Sequence, residues 1–162
     1  MIRRRSNDII LRNDDIVEIK FRNFDGHPDR FNPNGCLGNF VVVLTPEAAK
    51  DIEARFEGRE EFAIKVKHRL NNIDEDEASI KVSLRWDKFP PSIKMFTYGD
   101  NDPMIMNGDT IGALNNADIV AATLKVGPSR NNGCYLREGN FVIDNVSLDS
   151  IDKELRGLND NG

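Results

Sequence analysis

The chain has 162 residues, 39% hydrophobic and 30% charged, with a formal net charge of −5. That length carries one domain with a core of its own, and the composition is too apolar for general disorder. The negative charge argues against coating nucleic acid by bulk attraction but leaves room for a local basic groove, because the acids are concentrated at Asp74-Glu75-Asp76-Glu77 and in residues 149–160.

Taken in chain order, residues 9–11 form a short candidate strand. Residues 16–21 form a better one, with Val17, Ile19 and Phe21 alternating with polar positions. Residues 23–38 are rich in Gly, Pro, Asn and Asp and read as a long loop of the kind that often carries function. Phe40-Val41-Val42-Val43-Leu44 reads as a strand buried on both faces. Thr45-Pro46-Glu47 opens a helix: Thr45 caps it, Pro46 suits the first helical position and Glu47 suits the positive end of the dipole. Ala48, Ile52 and Phe56 share one helical face, and Gly58 ends the helix.

Residues 61–67 predict a strand with Phe62, Ile64 and Val66 on one side. An acidic hairpin-like loop follows at 71–77. Residues 79–86 predict a strand with Ile80, Val82, Leu84 and Trp86 inward and Lys81, Ser83 and Arg85 outward. Phe89-Pro90-Pro91 is a rigid break, and another strand runs over 93–98. After a polar stretch at 99–108, Asp109 caps a short second helix through Ile111, Leu114 and Ala117. Strands at 119–126, 134–136 and 140–146 complete the series. These elements predict a mainly β fold in a single domain over 1–148, with residues 149–162 a partly disordered tail. The expected architecture is an OB-like antiparallel β-barrel with one inserted α-helix and a short second helix.

No apolar run reaches the roughly 20 residues that cross a bilayer, and the basic start Arg3-Arg4-Arg5 lacks the apolar stretch of a secretory signal. A cytoplasmic protein without a membrane partner is the expectation. Cys36 and Cys134 read as reduced thiols, and His27 and His68 are not at ligand spacing from either, so no metal site or cofactor is expected. Phosphate-loop, nucleophile-elbow and zinc-protease motifs are missing, which points away from an enzyme. A metal-dependent nuclease using Asp100, Asp102 and Asp109 is the minor alternative.

Aromatic and basic residues stand together in three places: Arg22-Asn23-Phe24 with Arg30-Phe31, then Arg85-Trp86-Asp87-Lys88-Phe89, then Tyr135-Leu136-Arg137. Single-stranded nucleic acid is bound by this combination, with aromatic faces stacking on bases and cations tracking phosphates. The candidate phosphate contacts are Arg22, Arg30, Arg85, Lys88 and Arg137. Phe24, Phe31 and Tyr135 are the candidate stacking residues, with Trp86 a fourth. The bland alternative is that these aromatics anchor the core while the cations reach solvent around them.

The run Phe21-Arg22-Asn23-Phe24-Asp25-Gly26, followed by Arg30-Phe31-Asn32-Pro33-Asn34-Gly35 and by Asn39-Phe40-Val41-Val42, resembles a pattern in small proteins encoded by phages and integrated elements of Gram-positive bacteria. There F-R-N-F-x-G precedes K/R-F-N-x-x-G and N-F-x-V. Residues 81–93, 111–119 and 133–136 look like the later blocks of the same family, in the same order. The resemblance implies a non-catalytic, OB-like, single-stranded-DNA-binding protein acting in phage DNA replication or recombination, in the host cytoplasm. Its implied partners are single-stranded DNA and replication or recombination proteins, with a homodimer left open. The tail departs from single-stranded-DNA-binding proteins that recruit partners through an acidic tail ending in an aromatic: this one closes on Asn159-Asp160-Asn161-Gly162. A different class of function is a phage-encoded inhibitor of a bacterial defence system, presenting the 74–77 acids to a basic channel.

Overall fold

The computed structural model describes residues 7–28, 30, 33–70, 75–97 and 102–144. The strands are β1 (Ile9–Leu11), β2 (Ile16–Asn23), β3 (Asn39–Leu44), β4 (Lys67–Leu70), β5 (Asp76–Ser83), β6 (Ser92–Thr97), β7 (Met104–Met106), β8 (Ile119–Pro128) and β9 (Cys134–Ile143). One α-helix, α1 (Pro46–Arg55), follows β3, and 3-10 turns occupy Asn13–Asp15 and Ile111–Asn115. Among the described residues the fold is mainly β, and no helix is long and apolar enough to cross a membrane.

The strands run in the order β1-β8-β9-β5-β3-β2, with β4 added to β5, β6 to β9 and β7 to β6. The expectation of an antiparallel barrel needs two corrections. Pairing between β5 and β9 and between β6 and β9 is parallel, so the sheet is mixed. The outer strands β1 and β2 have no pairing with each other among the described residues, so the sheet is not closed into a barrel. The fork arises at β9, whose long edge is shared: Cys134 and Tyr135 pair with β5, and residues 138–143 pair with β6. Sequence periodicity reports which face a residue takes and not which strand lies beside it, so neither feature was visible in the pattern.

The core forms as alternation requires on β3 and β5: Phe40, Val42 and Leu44 pack with Ile80, Val82 and Leu84. Ala48, Ala49, Ile52 and Phe56 seat the helix on it. Thr45 caps α1 as expected, its hydroxyl oxygen accepting from the Ala48 N–H at 3.2 Å. Other elements depart from the sequence reading. The predicted strand over 61–67 is irregular: Phe62 adopts a left-handed φ of 53°, outside the extended region, and β4 starts only at Lys67. In β2, Ile19 is buried while Val17 and Phe21 face solvent. The short second helix is a 3-10 turn that begins after Thr110 with no side-chain cap, so Asp109 does not cap it; the Asn107 Oδ1 instead accepts from the Asp109 and Thr110 N–H groups just before it, at 2.8 and 3.1 Å. Strand β7 lies inside the stretch read as polar loop, and the two last strands are one continuous β9.

Candidate nucleic-acid interface

Strand β2 carries a register shift between Lys20 and Asn23 where it pairs with β3. Such a bulge bends a strand and re-aims a side chain. Here Phe21 takes a left-handed φ of 52° and stands 67% exposed, with the Lys20 Nζ 5.1 Å from its ring centroid. A bulky aromatic held in that backbone region costs on the order of 1–3 kcal/mol, and such outliers gather at binding sites.

Phe21 borders a groove of about 340 Å³ on the outer face of the sheet. Its floor follows the pairing register: Lys20 lies beside Val41, and Val41 beside Lys81. On β4, Lys67 pairs with Ser79 and Arg69 with Glu77, which puts both cations on the same face. Lys65 joins them from the irregular segment before β4. That segment is pinned by Asn132, which donates to the Glu60 carbonyl at 3.0 Å and accepts from the Ala63 N–H at 3.4 Å.

The lining therefore holds five cations, Lys20, Lys65, Lys67, Arg69 and Lys81, against the single carboxylate of Glu77. Glu77 is paired with Lys20. The other four cations have no carboxylate partner among the described residues. In a chain of net charge −5, such a concentration of unpaired positive charge is a ready seat for an anion.

The residues singled out from sequence fare differently. Phe24 is fully buried, stacked on Phe40 and edge-on to Phe141, so its ring has no free face for a base and the stacking role is withdrawn. Arg22 directs its guanidinium inward, Nε donating to the Ile19 carbonyl at 3.2 Å and Nη1 to the carbonyls of Leu114 and Ala117. Burial lowers its pKa, opposed by the nearby Asp118 and Glu18. It holds the 3-10 turn against β2 and is not placed to contact phosphate. Trp86 is half-buried and packs against the core. Arg85 grips Asp87 with Nε and Nη2 at 3.2 and 3.4 Å, and this pairing holds the Asp87 carboxyl below the ordinary carboxylate value. Arg30 is exposed on the 24–38 loop, and Phe31 lies outside the described residues.

Lys88, Tyr135 and Arg137 do come together. With Phe89, Lys125, Glu138 and Asp8 they line a second, open groove of about 420 Å³. Tyr135 is only 8% exposed, since Phe89 stacks on it with centroids 5.3 Å apart and the Arg137 guanidinium lies 5.2 Å from its ring centroid. Phe89, not Tyr135, is the exposed ring. Arg137 is paired with Asp8 at 2.8 Å.

Sequence reasoning missed Lys20, Phe21, Lys65, Lys67, Arg69 and Lys81. A signal was present in Lys65-x-Lys67-x-Arg69, cations at the two-residue period that puts them on one side of an extended chain. Asp74 and Asp100 lie outside the described residues. Among the described residues no group of three or more His, Cys, Asp or Glu gathers as a metal site. Compared with known proteins, the chain matches no family profile, no curated protein and no solved structure.

Proposed function

We propose that this protein binds single-stranded DNA without catalysis, through the groove formed by Lys20, Phe21, Lys65, Lys67, Arg69 and Lys81. The observation that carries the reading is the set of four cations without carboxylate partners among the described residues, beside an aromatic ring turned out of its strand by a bulge. Cations attract the phosphates, and the exposed ring offers a face on which any base can stack. The same reading treats the open, mixed sheet as an OB-like binding face, and puts the protein's work where single strands are exposed, in phage replication or recombination. The order of the sequence blocks described above supports that setting.

The test is a fluorescence-anisotropy titration with labelled oligo-dT at two salt concentrations. Affinity falls as salt rises, with a log–log slope of about −0.7 per phosphate neutralised. Lys67→Glu and Lys81→Glu each weaken binding about tenfold or more, and Phe21→Ala weakens it at unchanged salt slope. Salt-independent binding, or full affinity in both Lys variants, overturns the reading.

A further inference from the structure

The second groove lies on the same face of the sheet as the first. Residues paired across strands project to the same side, as do residues two apart along one strand. Lys81 and Ser83 are two apart on β5, Ser83 pairs with Tyr135 on β9, and Tyr135 pairs with Gly127 on β8. Lys125 is two residues from Gly127 and pairs with Glu138. One face thus runs from Lys20 on β2, by Val41, Lys81, Ser83 and Tyr135, to Lys125 on β8.

Gly127 is where this face stays low. A Cβ there would sit 2.7 Å from the Asp8 Oδ1, 2.9 Å from the Arg137 Nε and 3.4 Å from the Tyr135 Cζ. The missing side chain lets the Arg137–Asp8 pair and the Tyr135 ring lie down against β8. A tight turn, in which the Arg85 carbonyl accepts from the N–H groups of Lys88 and Phe89, carries these two side chains to the groove. Lys88 and Lys125 have no carboxylate partner among the described residues, and Phe89 is 54% exposed. The second groove therefore shares a feature of the first, cations without a carboxylate partner among the described residues beside an exposed aromatic ring, although Glu138 and the Asp8 paired with Arg137 also line it.

We propose that the two grooves form one track, and that a single DNA strand crosses the sheet from Lys20 to Lys125 with bases stacking on Phe21 near one end and Phe89 near the other. This rests on the reading of the first groove as a single-strand site. From β2 to β8 the track spans four strand spacings, roughly 19 Å at about 4.8 Å each. That length accommodates about five or six nucleotides at a stacked rise of about 3.4 Å.

The experiment uses the full chain and labelled oligo-dT of about 4 and about 16 nucleotides, near the limits of site size for one such domain. Three variants are compared: Lys88→Glu with Lys125→Glu, Phe89→Ala, and Lys67→Glu as the first-groove control, with thermal midpoints verifying that each is folded. The expected result is that both second-groove variants weaken the long oligonucleotide about tenfold and change the short one less than about twofold, whereas Lys67→Glu weakens both. Long-oligonucleotide affinity unchanged by the second-groove variants but reduced by Lys67→Glu overturns the track and leaves the first groove standing. No effect of Lys67→Glu on either length overturns the first-groove reading and the track with it.

Discussion

Phe24 stacks on Phe40 with ring centroids 4.7 Å apart and planes inclined by 24°. Phe141 meets both edge-on, at 5.6 and 6.4 Å. The three rings come from the end of β2, from β3 and from β9, so they join distant parts of the sheet at one point in the core. Replacing Phe24 with Ala removes one wall of this cluster and leaves a cavity. The expected cost is about 3–5 kcal/mol in urea unfolding, with oligo-dT affinity of the folded protein unchanged. A variant with full stability and lost DNA binding would restore Phe24 to the binding surface.

The loop after Phe24 is built by close backbone approach. Gly26 has φ +70°, and a Cβ there would fall 1.8 Å from the Cys36 carbonyl oxygen, itself held by a Cys36 N–H to Gly26 carbonyl bond of 2.8 Å. Gly58, at φ +75°, has no atom within 4 Å of the same position. Gly26→Ala therefore meets backbone as well as conformational strain, whereas Gly58→Ala meets only the strain. Gly58→Ala is expected to cost about 1–2 kcal/mol and Gly26→Ala clearly more, by thermal or urea unfolding. Equal costs at the two sites would show that the loop opens freely around Cys36.

These two residues explain how much of the molecule was legible in advance. In the F-R-N-F-x-G run, Arg22 holds the carbonyls of Leu114 and Ala117, the Phe24 N–H donates to the Asn115 Oδ1 at 2.7 Å, and Gly26 touches Cys36. Residues 21–26 and 111–117 are thus bolted together, and their role in the structure is one of packing. Alternation gave the inward face of β5 and the cap residues gave the start of α1, whereas β3, read as buried on both faces, turns a half-buried Val41 to the outer groove. Alternation misjudged Phe21, because a bulge breaks the period of two without a sequence mark, and it misjudged the 61–66 segment, where Phe62 takes a left-handed φ and the chain is not extended. The basic groove was hidden because its cations come from β2, the segment before β4, β4 and β5, and only the register brings them together.

His68 sits between Lys67 and Arg69 on β4 and points to the opposite side. Its Nδ1 meets Asp76 at 2.7 Å and its Nε2 meets Glu53 of α1 at 2.9 Å, tying β4 to its neighbours. These bonds, to Asp76 first and Glu53 second, raise its pKa above the ordinary 6.5. A raised folded-state pKa means that protonated His68 is favoured in the folded protein. The stability it contributes is therefore fully present below the unfolded value of about 6.5 and is lost as pH rises through the folded value. The advantage of the native protein over His68→Gln in thermal midpoint should be larger at about pH 5.5 than at about pH 8. An NMR titration should place the His68 midpoint above the ordinary value and lower it in Asp76→Asn. An advantage that grows with pH would contradict the pairing.

Glu77 separates the two classes of function most sharply. It belongs to the acidic block that an inhibitor of a nucleic-acid channel would present, yet it lines the basic groove and pairs with Lys20. If the groove binds DNA, this carboxylate repels the phosphates and occupies one of the cations. Glu77→Gln then frees Lys20 and removes a negative charge, and a unit charge near 4 Å is worth about 1 kcal/mol in water, so oligo-dT affinity should rise up to about fivefold. Lys20→Gln should lower affinity, but less than Lys67→Glu, because Lys20 is half-neutralised already and Gln does not reverse the charge. If the acidic block is instead the contact for a protein partner, Glu77→Gln weakens function while the lysine changes do little. Measuring Glu77→Gln, Lys20→Gln and Lys67→Glu at one low and one physiological salt concentration decides between them, since only the DNA reading predicts effects of opposite sign that shrink as salt screens the groove.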